Sequence, residues 1–414
     1  MHEFMPEWAR YLLGLVAVLL GVLGAMYARR RSGAPRPHWE RAAAAALVAA
    51  CALYLAYLGR ELVPALWERA ARRDDMVRYY VIAGRALRGQ ALYWPWPDYG
   101  PHFATPGYPY PQPRYPYPPF LMGVLVPFAH LPLLVFGRIW YVVLYAGLAV
   151  YAASLAKLAT GRVTPAGTTV AAAVVAAVPG AQLAFQVANV EPVLWALFGA
   201  ALAWPAARGF GFAASAMVKL YCAWPLLVAA WREGWRVVRG AGLALVLGTV
   251  LGMAVLGPGV FVGSFLDWAR YMLPVVGQGT WAVDPHYGGT NVSFSFAGLR
   301  LVRELGWEYR PGPLPGWARL YLTVVGIAAP LLATWLTRRM RDTALRCGIV
   351  TITAVLFAPL CWATYLPLLL APLAAFVRLR SERPETAGTA DLGVPPAGAA
   401  GLFHSSSRQR AGTS

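Results

Sequence analysis

Apolar residues fall into eleven stretches, each close to the roughly 20 residues that a helix needs to cross a bilayer. They lie at about 9–28, 42–59, 119–136, 139–156, 166–185, 190–207, 211–231, 240–257, 318–336, 346–360 and 363–377. The run from Gly348 to Val377 is interrupted by Pro359 and Pro367, which predicts a tight helical hairpin rather than one long span. The pattern predicts an all-α polytopic membrane protein with about eleven transmembrane helices, ten and twelve being the bounds. Two polar stretches, about 60–118 and 258–317, break the series as long outer loops. In the first, Met76, Tyr79, Tyr80, Ala83 and Leu87 recur at helical spacing while Arg78, Arg85 and Arg88 take the other face. This predicts an amphipathic helix at the membrane surface, starting at Asp74 or Asp75 and ending near Gly89. In the second, a helix is expected from about Ser293 to Leu305.

Composition agrees with the pattern. Of 414 residues, 58% are hydrophobic and only 13% charged, too apolar for a soluble globule. A net charge of +18 in a soluble domain would point to nucleic acid, but here the arginines gather between spans as the positive-inside rule requires. Arg29, Arg30, Arg31, Arg36 and Arg41 follow the first stretch; Arg232, Arg236 and Arg239 the seventh; Arg338, Arg339, Arg341 and Arg346 the ninth. With eleven spans all three clusters face the cytoplasm, the N-terminus lies outside, the C-terminus inside, and nucleic acid is not a partner. The eight arginines of 60–118 fall on the outer side, where five acids offset much of their charge and long loops obey the rule poorly. The leader MHEFMPEWAR carries Glu3 and Glu7 against Arg10, so the first span is expected to stay as an anchor. Residues 1–41 are then an added anchor with a basic loop, 42–377 the polytopic domain and 378–414 a polar tail without periodicity. Cys51, Cys222, Cys347 and Cys361 have neither disulfide nor metal spacing.

Four sets of residues carry candidate chemistry. Asp74 and Asp75 open the amphipathic helix; an Asp there caps first-turn N–H groups, yet only one carboxylate can cap, and the other can act as a general base. The segment from Tyr93 to Phe120 holds ten aromatics and ten prolines, suited to stacking on sugar rings or to an aromatic belt at the interface. Lys219, one of two lysines, lies inside an apolar stretch where a charge needs a polar cavity or a partner such as Glu191. Gln186 and Asn189 sit at a span junction, as helix glue or as ligand contacts. The second outer loop adds His286, Asn291, Arg300 and Arg303, the two arginines three apart on one helical face and suited to a phosphate. No Walker loop, HExxH or serine elbow is present, and no internal repeat supports the rival reading, a transporter or flippase.

Asp75 with Tyr79 and Tyr80, GRALRGQALYW and RYPYPPFLMGVLVPFAHLP resemble the first outer loop and following span of glycosyltransferase family 87. FQVANVEPVLWAL, SAMVKLYCAWPLLVAAWREGWR, GGTNVSFSFAGLRLVREL and APLCWATYLPLLLAPL extend the likeness over about 60–377. The resemblance implies the C-type (GT-C) fold, a polyprenyl-phosphate sugar donor, a glycan or glycolipid acceptor of a bacterial envelope, membrane lipid as solvent, and hexosyl (mannose-like) transfer with inversion at the plasma membrane. It makes Asp75 the general base, which needs no acid partner because a phosphate leaves without a proton. Lys219 is the expected cation at that phosphate; Asp74, Tyr79, Tyr80, Gln186, Asn189, His286, Asn291, Arg300 and Arg303 are the other expected substrate contacts. No cofactor is implied, although Asp74 and Asp75 could share a divalent cation. Family members carry His after the Trp of the last motif, where this chain has Ala363, Thr364 and Tyr365, and Gly before the glutamine-asparagine motif, where it has Phe185.

Overall fold

A computed structural model describes residues 38–72, 74–93, 117–278, 293–295, 297–298, 316–358, 361 and 363–382. The expected first span, most of the aromatic and proline-rich segment, the helix expected over 293–305 beyond its first turn, and the tail lie outside the described residues. Every described element is helical. In chain order they are α1 (His38–Glu68), α2 (Asp74–Leu87), α3 (Phe120–Leu125), α4 (Leu133–Thr160), α5 (Pro165–Ala177), α6 (Pro179–Val187) and α7 (Glu191–Ala203). There follow α8 (Arg208–Val218), α9 (Ala223–Glu233), α10 (Trp235–Leu256), α11 (Pro258–Gln278), α12 (Gly316–Leu336), α13 (Thr343–Leu356) and α14 (Leu370–Glu382). Four of these have windows long and apolar enough to cross a membrane, in α1, α4, α10 and α12. The pair α5 and α6 makes a fifth if its 78° bend is one broken span.

Two expected spans and one expected loop take another form. Over 119–136, α3 passes into a 3₁₀ turn at Val126–Phe128, and a new helix starts only after Pro132, whose ψ of 143° is extended. Two prolines, Pro127 and Pro132, therefore replace one span with a short helix and the head of α4. Over 211–231, Lys219 adopts extended backbone (φ −139°, ψ 118°) and the chain reverses. Arg208, at the start of α8, forms an ion pair with Glu233, at the end of α9, so the two 11-residue helices are antiparallel arms of a hairpin. Lys219 thus stands at the apex of the hairpin, about 16 Å from its open end at 1.5 Å per residue. The third is 258–317, expected to begin as loop, where α11 runs for 21 residues.

The helices give the bundle two chemically different ends. At one end lie α2, the start of α4, the start of α7 and the apex of the α8–α9 hairpin, with a core of Met76, Tyr79, Ile82, Met122, Tyr141 and Leu194. At the other lie the C-terminal ends of α7, α9, α12 and α14 and the N-terminal ends of α8, α10 and α13, where Arg208, Glu233, Asp342, Arg346 and Arg378 meet. Between them Trp195, Phe198, Phe212, Val350 and Leu368 fill the middle of the bundle. Long apolar faces of α10 and α12 stay uncovered, with Leu243, Val246 and Val250 on one and Leu320, Val324 and Leu331 on the other. Such faces are at rest only in hydrocarbon.

Small residues set how closely the helices approach. A Cβ added at Gly147 of α4 would lie 2.6 Å from the Pro192 carbonyl oxygen at the start of α7. Gly147→Ala should therefore lower the thermal stability of the detergent-solubilised protein by about 1–3 kcal/mol, despite the better helix propensity of alanine. Gly242→Ala in α10, where nothing lies within 4 Å of the added Cβ, should be neutral or stabilising. Equal effects in melting experiments would show that the α4–α7 approach is softer than its geometry.

Candidate active site

Asp75 lies in the first turn of α2 and is largely buried. Met76, Tyr79 and Ala83 form the buried stripe the spacing requires, joined by Ile82, whereas Leu87 stays exposed. The helix ends where Gly89 turns left-handed (φ 65°) and Gln90 N–H donates to the Arg85 carbonyl at 3.0 Å. With α2 so anchored, the Asp75 carboxylate accepts a 2.7 Å hydrogen bond from Asn189 Nδ2, and Arg78 lies 3.7 Å from its other oxygen.

Asn189 reaches Asp75 because of the residue before it. Ala188 is left-handed (φ 55°, ψ 43°), a conformation that costs an alanine roughly 1–2 kcal/mol. Two contacts hold it: Trp140 Nε1–H donates to the Ala188 carbonyl at 2.8 Å, and Asn189 N–H donates back to Ala184 at 2.8 Å. Tyr141 adds a 2.9 Å bond from its hydroxyl to the Phe185 carbonyl. The chain then turns straight into α7, with Asn189 Oδ1 accepting the Glu191 N–H at 3.3 Å. A strained junction thus fixes Asn189 towards Asp75 and Glu191 towards the interior.

The Glu191 side chain is fully buried and forms an ion pair with Lys219. Lys219 Nζ also donates to the Tyr365 hydroxyl at 3.0 Å and lies over the rings of Tyr365 (4.4 Å) and Tyr117 (5.3 Å). Tyr117 connects back to α2, because Tyr79 donates from its hydroxyl to that of Tyr117 at 3.3 Å. Tyr93 fixes the same segment through a 2.6 Å bond to the Tyr117 carbonyl. Glu191 Oε2 and the hydroxyl of Tyr221, whose ring packs on Tyr365, have no hydrogen-bond partner among the described residues.

Of the residues singled out in the sequence, Asp75, Tyr79, Asn189 and Lys219 come together. Tyr80 turns away, its hydroxyl donating to Leu131 at 3.0 Å and its ring packing on Phe136. Gln186 lies within α6, in the same turn as Phe185, which stacks on Tyr145. Asp74 begins α2, and its side chain lies outside the description. His286, Asn291, Arg300 and Arg303 lie outside the described residues. Tyr117 and Trp140 carried no distinguishing signal in an aromatic-rich chain. Tyr365 was visible only as the residue standing where histidine is usual.

The model of glycosyltransferase family 87 matches residues 115–361, more than half of the chain. The chain belongs to that family. It is a membrane glycosyltransferase. The match takes in Tyr117, Asn189, Glu191 and Lys219 but begins after Asp75 and stops short of Tyr365. No curated protein and no solved structure matches the chain.

Within this family member the Glu191–Lys219 pair makes a clear energetic demand. Removing one partner of a buried pair leaves an uncompensated charge, at a cost of about 3–5 kcal/mol. Glu191→Gln should lower the melting temperature markedly, and combining it with Lys219→Met should recover much of the loss. A double variant as unstable as the sum of the single ones would mean that the two side chains do not depend on each other.

Proposed function

We propose that the protein transfers a hexosyl residue, mannose-like, from a polyprenyl-phosphate sugar to an envelope glycan or glycolipid, with inversion. The observation that carries this reading is the connected set Asp75–Asn189–Glu191–Lys219, a candidate base and a candidate phosphate cation joined through one strained junction. Asn189 and Glu191 are two residues apart, so their Cα atoms are within about 7 Å. The acceptor oxygen attacks the anomeric carbon, its proton passes to Asp75, and the carbon–oxygen bond to the lipid phosphate breaks. The electron pair leaves with the phosphate, towards Lys219. A fixed cation stabilises that charge best where water is excluded.

The ion pair with Glu191 is compatible with this role. Glu191 neutralises Lys219 before donor arrives; a phosphate then accepts from Lys219 Nζ and from the Tyr221 hydroxyl, in place of part of the contact with Glu191. Asn189, donating to Asp75, holds the base in position and leaves the second carboxylate oxygen towards Arg78. Tyr79, Tyr117 and Tyr365 offer hydroxyls and ring edges to sugar and phosphate.

The proposed topology puts this site on the outer side of the plasma membrane and the arginine-rich end in the cytoplasm. Its support is the separation of the two ends along the α8–α9 hairpin together with the positive-inside rule. About eleven membrane segments, counting both hairpin arms and an anchor at 9–28, return the C-terminus to the basic side. The transferase domain is 42–377, with the anchor before it and the tail after it.

Asp75→Asn should reduce transfer from a radiolabelled polyprenyl-phosphate mannose by about 10²–10⁴-fold. Melting temperature should hold, because Asn still accepts from Asn189. Asp74→Asn should do far less. Near-normal transfer by the Asp75 variant would remove the base from this mechanism. For topology, an impermeant thiol reagent added to intact cells should label Gln90→Cys and spare Arg236→Cys, both exposed positions. The four native cysteines are buried and give little background. Labelling of both sites from outside would overturn the arrangement.

A further inference from the structure

Far from the hairpin apex, the arginine-rich end holds more fixed positive charge than its acids neutralise. Glu233 is engaged by Arg208, and Asp342 by Arg378 at 3.1 Å while also capping α13 through Leu345 N–H at 2.7 Å. Arg232 and Arg346 have no carboxylate partner among the described residues. Arg346 is 1% exposed; it donates through Nη2 to the Thr334 carbonyl at 3.2 Å, and its Nε is buried without a partner. Arg232 reaches the Met340 carbonyl only at 3.5 Å and is close enough for its charge to be felt at Arg346. A buried guanidinium beside a second cation is costly unless an anion is supplied. None of the described side chains supplies it.

The surroundings identify the source of that anion. Arg346 lies on α13, against which both α9 and α12 pack. The Trp231 ring of α9 covers Arg346 at 5.0 Å and is itself exposed, as are Trp235 and Trp335. Tryptophan at the end of an apolar helix marks headgroup depth. Further along the same two helices Leu227, Leu331 and Leu332 are exposed, as lipid chains require. We infer that Arg232 binds the phosphate of an anionic phospholipid headgroup between α9 and α12, drawn there also by the charge of Arg346 beneath Trp231, with the lipid chains lying on Leu227 and Leu331. Arg232 binds the phosphodiester, Trp231 and Trp335 flank the glycerol, and the lipid neutralises the charge that the protein leaves open. The site is separate from the transferase reading and stands without it.

The test uses the full-length protein in nanodiscs of phosphatidylcholine with increasing phosphatidylglycerol, read by thermal melting and by lipid retained after delipidating washes. Phosphatidylglycerol should raise the melting temperature and be retained selectively, while inorganic phosphate at millimolar concentration does neither. Arg232→Gln, at an exposed position, should reduce retained phosphatidylglycerol about fivefold, the worth of one basic residue near an anionic surface. Arg346→Gln should reduce it less, by charge alone, and Arg162→Gln, in the turn before α5, should do nothing. Equal retention of the two lipids, or unchanged retention in Arg232→Gln, overturns the proposal even if Arg346→Gln fails to fold. A response to inorganic phosphate equal to that to phosphatidylglycerol overturns the lipid assignment in favour of a soluble anion.

Discussion

A lysine held inside an apolar helical bundle is the constraint around which the rest is arranged. Lys219 can remain charged there only with a partner, and Glu191 is fully buried against it. The pair fixes where the α8–α9 hairpin turns and where α7 begins. Tyr365 adds a hydroxyl at 3.0 Å from the residues before α14. Three separate parts of the chain are thereby tied to one charge, and none could shift without exposing it to hydrocarbon.

That tie explains why the hairpin exists at all. A continuous helix over 211–231 would have carried Lys219 through the middle of a span with no neighbour assured. Reversal at Lys219 instead sends both flanking helices back to the arginine-rich end, where Arg208 and Glu233 close the loop. One end of the bundle then gathers a single compensated lysine beside aromatic hydroxyls, and the other a surplus of guanidinium. The separation is a consequence of chain direction. Arg162, Arg208, Arg232, Arg236 and Arg338 lie near turns at the basic end, while Asn189, Tyr117 and Tyr365 gather at the other beside the arginines of α2.

Much of this was legible in the residues themselves. Apolar length and the arginine pattern identified an all-helical membrane protein, and the period of Met76, Tyr79 and Ala83 placed α2 to within a residue or two. The resemblance at Asp75, Asn189 and Lys219 selected residues that do come together. Hydropathy could not see that 119–136 and 211–231 fold back. Apolar content measures affinity for lipid, and a reversal there rests on one extended residue or two prolines. Nor could it see Ala188: a left-handed alanine leaves no trace in sequence, because its strain is held by Trp140, 48 residues earlier.

Tyr365 shows how a change of one side chain alters the electrostatics of such a site. An imidazole at this place could carry a second positive charge or accept a proton at neutral pH. A phenol does neither; it is a neutral group that donates and accepts hydrogen bonds. Tyr365 already accepts from Lys219 through its oxygen, so its own hydrogen is left to donate to a third group. The positive charge available to an anion in the described part of the site then rests on Lys219 and, beside Asp75, on Arg78. In this chain the lysine supplies that charge with a neutral hydroxyl at its side, and any anion that enters competes with Glu191 for it.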